Sequence, residues 1–102
     1  MGATEFFTYA EGINVKAAFV AAKQEAEYES GNSGYTGTIA EKDDFKSASE
    51  NVFPDKYAAD DFAYQKINDD NHWCNDKYKP AAYIRFMNGN KIEYLFFGIA
   101  KT

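Results

Sequence analysis

The stretch AAYIRFMNGNKIEYLFFGIA, residues 81–100, decides how this chain folds. Two apolar runs, AAYIRFM and KIEYLFFGIA, flank Asn88-Gly89-Asn90. An Asn-Gly pair between such runs is a strong hairpin signal. Both runs are apolar at successive positions rather than alternate ones, as expected of central strands buried on both faces. Working back from this hairpin, Pro80 excludes a helix that runs into it. Residues 68–77, NDDNHWCNDK, read as irregular chain or one further helical turn.

Further upstream the period changes. Ala59, Phe62, Ala63 and Ile67 recur at helical spacing, and Pro54 and Asp55 suit the start of that helix, which spans about 14 residues. Residues 45–49, FKSAS, suggest a short strand, and Lys42-Asp43-Asp44 a polar edge or turn. TGTIAEK, residues 36–42, reads as a second strand. Before it, Val15, Ala18, Phe19, Ala22 and Ala26 share one face of a helix from Val15 to Glu29. Asn14 is placed to cap its start. Gly31 is placed to end it, since glycine takes a left-handed conformation at little steric cost. Residues 4–10, TEFFTYA, form a first strand. The order is β-α-β(β)-α-β-β. It predicts a single α+β domain over residues 1–102, with two helices packed on one face of a small, mostly antiparallel sheet.

Composition narrows the function classes. The chain has 102 residues, with 16 Asp and Glu against 11 Lys and Arg, for a formal charge of −5. A duplex-binding surface needs a basic patch, and Arg85 is the lone arginine, so direct nucleic-acid binding is not expected. No apolar run approaches the roughly 18 residues of a membrane span. The start, MGATEFF, lacks the basic-then-apolar pattern of a secretory signal, and Phe6 stands where a myristoylation motif carries Ser or Thr. Cys74 is the single cysteine, which excludes an internal disulfide and fits a reducing cytoplasm.

Candidate sites follow from local chemistry. The glycine segment GNSGYTG, residues 31–37, follows a helix end and enters a predicted strand, so the dipole has the wrong sign for a phosphate cradle. It lacks both GxxxxGK[ST] and GxGxxG. Its simplest role is a helix stop and turn, but Tyr35, Thr36 and Thr38 are positioned to line a ligand pocket. Glu25, Glu27 and Glu29 crowd the negative end of the first helix, against the dipole. Arg85 lies inside an apolar strand, where it faces solvent, pairs with Glu29 or meets a ligand anion. Asp43-Asp44, Asp60-Asp61 and Asp69-Asp70 present negative charge to a basic partner, in the manner of a nucleic-acid mimic. His72 and Cys74 are a conceivable nucleophile pair, but they are too few for a metal site, and neither a metal nor a cofactor is expected. Strands such as FKSAS offer edges for self-association into a homo-oligomer.

Residues 27–42, EYESGNSGYTGTIAEK, resemble a segment of small, mostly uncharacterised proteins of bacteriophages, prophages and mobile elements. The match is specific over residues 34–42, GYTGTIAEK. MGATEFFTYAEG with the alanine-rich helix after it, Pro80-Ala81 and Phe97-Gly98 are similar to other features of that family. Lys79 and Ile99 depart from the glycine and tryptophan expected there, and residues 43–75 carry no match. The resemblance implies a small accessory protein of a bacterial cytoplasm, with no catalytic residues to carry over. It points to a non-enzymatic binding protein that inhibits a host defence protein or another host protein. An alternative is a binder that sequesters a small nucleotide-like signal through Tyr35, Thr36, Thr38 and Arg85. A third is a small enzyme that uses His72 or Cys74.

Overall fold

A computed structural model describes residues 2–31 and 36–101. Its order is β1 (Ala3–Ala10), α1 (Val15–Ser30), a 3-10 turn (Ile39–Glu41), β2 (Phe45–Phe53), α2 (Lys56–Ile67), a second 3-10 turn (Trp73–Asn75), β3 (Ala81–Asn88) and β4 (Lys91–Lys101). The four strands form one sheet in the order β1-β4-β3-β2. β4 runs antiparallel to both β1 and β3, while β2 joins β3 in parallel through α2. The chain is thus an α+β fold with a mostly antiparallel sheet, and the hairpin supplies its two central strands. Asn88 pairs with Lys91, which leaves Gly89, at φ +65°, and Asn90 as the two-residue turn.

Capping explains where the helices begin. The Asn14 side chain accepts from the Ala17 N–H at 2.9 Å, and Gly31 closes α1 with its N–H on the Glu27 carbonyl. Asp55 accepts from the Ala58 N–H at 2.8 Å, so α2 starts at Lys56, with Pro54 just outside.

The helices do not share one face, which corrects the expectation from sequence. Ala59, Ala63 and Ile67 of α2 pack with Ala82, Ile84 and Phe86 of β3 and Leu95 and Phe97 of β4. Ala18, Phe19 and Ala22 of α1 pack with Phe6, Ala81, Phe96 and Ala100. Side chains alternate between faces along a strand, so α1 covers one face and α2 the other. The physical reason lies in β3 and β4: strands apolar on both faces need a helix on each side.

The second correction concerns TGTIAEK. Residues 36–42 form no strand; they wrap into the 3-10 turn, and the sheet position belongs to β2. The FKSAS strand is real and longer than expected. Its ladder slips, because Ser47 pairs with Tyr83 but Val52 with Arg85, so β2 carries three extra residues there. Bulges of this kind bend an edge strand away from further pairing. Among the described residues no helix is long and apolar enough to cross a membrane.

Candidate functional site

Residues 36–42 are built as a plug. Ile39 is fully buried against the α1 face. Thr38 caps the 3-10 turn by accepting from the Ala40 N–H, and its hydroxyl meets the Thr36 hydroxyl at 2.9 Å. The Glu41 carboxylate accepts from both the Thr36 N–H and the Thr36 hydroxyl. Lys42 is 3 % exposed, and its ammonium donates to the carbonyls of Lys77 and Lys79 at 3.1 and 2.7 Å. Burial pulls the Lys42 pKa below the ordinary lysine value, and nearby Asp76 opposes that shift. The Gly37 N–H reaches the Lys101 carbonyl at 2.7 Å. Thr36 and Thr38 are therefore joined to one another and to the turn. Tyr35, the third member of the expected pocket, lies outside the described residues.

Glu25, Glu29 and Thr38 do come together, along a groove of about 310 Å³ between α1 and β1 that Phe7, Thr8 and Tyr9 also line. Arg85 does not share it. Its guanidinium donates to the Glu50 carbonyl in the bulge of β2 rather than to Glu29. Across the described residues, Arg85 braces the edge strand.

His72 and Cys74 do not form a nucleophile pair. The His72 Nδ1 accepts from the Cys74 main-chain N–H at 3.1 Å, capping the second 3-10 turn, and its ring stacks on Trp73. The Cys74 thiol is fully buried, and that burial pushes its pKa up to about 11, away from the thiolate a nucleophile needs. Burial and then Lys66 lower the His72 pKa. Among the described residues no three His, Cys, Asp or Glu side chains converge to hold a metal.

The aspartate pairs are scattered. Asp43 and Asp44 line a cleft whose other residues include Lys77, Lys79 and Lys101, so their charge is locally offset. Asp69 and Asp70 follow the C-terminal end of α2, where Asp69 caps a turn by accepting from the Asn71 N–H. Asp60 and Asp61 are different, because they belong to a stripe. Tyr57, Asp60, Asp61 and Tyr64 stand at i, i+3, i+4 and i+7 of α2. Tyr57 is 79 % exposed and Tyr64 54 %. The Tyr64 ring lies 4.8 Å from Phe7 of β1. Tyr9 of β1 donates its hydroxyl to Asp60 and stands edge-on to Phe86 at 5.9 Å. Burial, followed by the Asp60 carboxylate, raises the Tyr9 pKa well above the ordinary phenol value.

Next to this stripe a cleft of about 450 Å³ opens at the carboxyl ends of β1, β2 and β3. Both helices begin at this end of the sheet, α1 after β1 and α2 after β2. Tyr9, Pro54, Lys56, Tyr57, Phe86, Asn88 and Glu93 are among its walls. The Lys56 ammonium sits 4.4 Å over the Tyr9 ring. Glu93 is 9 % exposed and accepts from the Asn88 side-chain amide.

No protein-family model, curated protein or solved structure matches the chain.

Sequence reasoning missed Tyr9, Lys56, Tyr57 and Glu93. Glu93 had a legible signal. It shares strand parity with Leu95 and Phe97, so a carboxylate there points to the buried α2 face. Tyr57 and Tyr64 were legible too, as a seven-residue spacing on the polar side of α2. The approach of Tyr9 was not legible, because it depends on β1 pairing with β4 rather than with its sequence neighbour.

Proposed function

We propose that this chain is a non-enzymatic binding protein that docks a basic protein on the outer face of α2. The observation that carries this reading is the stripe of Tyr9, Tyr57, Asp60, Asp61 and Tyr64. Tyrosines are preferred anchors of protein interfaces, and carboxylates beside them steer a basic partner and set its orientation. The Tyr9–Asp60 hydrogen bond and the Tyr64–Phe7 ring contact hold part of the face in place before binding, which lowers the ordering cost. The buried, protonated Cys74 and the turn-capping His72 favour binding over catalysis. The likeness of residues 27–42 to phage and mobile-element proteins favours an encounter in a bacterial cytoplasm, with a host defence protein or another host protein as the target to be inhibited.

The test is capture of a basic protein from bacterial lysate by the tagged chain at low salt, repeated with Tyr57→Ala and Asp61→Asn. The expected result is a near-stoichiometric partner, lost with Tyr57→Ala and weakened several-fold by Asp61→Asn or by raised salt. Capture that ignores both substitutions and salt overturns the reading.

A further inference from the structure

We infer that the cleft at the head of α2 is a seat for a guanidinium or ammonium group on an apolar stem, the tip of a basic side chain of the docked protein. This deepens the docking reading above and rests on it.

Four observations converge. First, the cleft has a carboxylate in its wall with spare capacity. Glu93 is nine-tenths buried, yet its only hydrogen bond comes from the neutral Asn88 amide, on Oε2. Its Oε1 takes no hydrogen bond from any described residue, and no Lys or Arg among them pairs with it. Among the described residues no fully buried side-chain polar atom lacks a partner, so this oxygen opens to solvent in the cleft, where an incoming cation can reach it. Second, the surrounding walls suit a cation with an aliphatic stem. Tyr9, Tyr57 and Phe86 offer rings, while Pro54 and Met87 offer apolar contact.

Third, the protein already seats a cation there. The Lys56 ammonium lies over the Tyr9 ring at 4.4 Å, so one wall is demonstrably attractive to positive charge. Lys56 reaches the ring but does not pair with Glu93, so the carboxylate is left for an incoming group. Fourth, the positive end of α2 in this cleft is offset by the Asp55 carboxylate at its cap. The Asp55 side chain already takes up its Ala58 N–H. The charged groups around the cleft, Asp55, Glu93 and Lys56, sum to one negative charge before Asp60 is added from the adjoining stripe. A guanidinium is the better match than a bare ammonium, because it stacks on a ring and meets a carboxylate with the same planar group. The volume exceeds that of one arginine side chain, which leaves room for the residue beside it.

The test uses N-acetylarginine amide as the probe and its uncharged isostere N-acetylcitrulline amide as the control, titrated into the isotopically labelled chain and followed by amide shifts. The expected result is saturable shifts confined to Lys56, Tyr57, Asn88 and Gly89, at least tenfold weaker with the citrulline probe and in Glu93→Gln. Glutamine keeps the acceptor for Asn88, so this variant retains the fold. Lys56→Ala clears the Tyr9 ring and binds the arginine probe several-fold tighter. Equal shifts from both probes, or an unchanged response in Glu93→Gln, overturns the seat. The two readings separate cleanly. If Glu93→Gln captures the partner as the parent chain does while Tyr57→Ala loses it, the seat is wrong and the docking face stands. If the arginine probe saturates the seat and no Tyr57-dependent partner is captured, the docking reading fails.

Discussion

At the scale of single residues, chemistry that looks reactive in sequence is structural in place. Cys74 stands two residues from both His72 and Asp76 in the chain, with Asp69 and Asp70 just upstream, but its side chain belongs to the α2 core. Its folded pKa of about 11 lies above the 9.0 of a free thiol. The unfolded chain therefore loses this proton first as pH rises. The stabilisation is fully present below pH 9 and disappears as pH climbs towards about 11. Compared with Cys74→Ala, the parent chain is expected to lose stability more steeply over that window in denaturant titrations. A thiol reagent at pH 8 is expected to label no cysteine in the folded chain and one in denaturant. Rapid labelling of the folded chain would show that the thiol is accessible after all. Lys42 has the same moral with opposite charge. Its place in the sequence suggests the polar end of a strand, yet it is a buried clamp whose donors hold the loop before β3.

At the scale of elements, the hairpin, both helices and their caps were legible because each is fixed by contacts a few residues apart. The segment TGTIAEK was misread for an instructive reason. Its Thr and Ile favour a strand by propensity, but the same residues form a capped turn when Thr38 meets the Ala40 N–H and Glu41 reaches back to Thr36. Local side-chain hydrogen bonding outcompeted the ladder. The role of the segment is therefore to plug the α1 face and tie it to β4. Glu41→Ala removes the acceptor for two Thr36 groups and is expected to cost about 1–3 kcal/mol of folding stability. Partner capture at a temperature where the variant is folded is expected to be unchanged. Loss of capture without loss of stability would instead make this segment part of the binding surface.

At the scale of the whole molecule, β4 belongs to both cores. Leu95 and Phe97 face α2, while Phe96 and Ala100 face α1. The two sides are therefore expected to unfold together. Phe96→Ala and Leu95→Ala, on opposite faces, are each expected to cost about 2–5 kcal/mol. Each is also expected to shift a single transition, the same by helix signal and by Trp73 fluorescence. Separate transitions for the two probes would mean that each helix melts with its own face. The two-sided arrangement was implicit in the sequence, since residues 94–97, YLFF, cannot be covered by helices on one side only. The strand order was not, because nothing within β1 says that its partner is the last strand rather than the next.

That order also governs how the chain is born. β1 is made first and β4 last of the four, yet β1 has no other partner in the sheet. While the ribosome works through α1, β2, α2 and β3, Phe6 and Phe7 wait without a strand beside them. Such late, distant pairing slows folding and leaves apolar chain open to chaperones and proteases in the interval. A nascent chain halted anywhere before Lys91 would leave β1 without its partner strand, and β4 supplies the side chains that complete both cores.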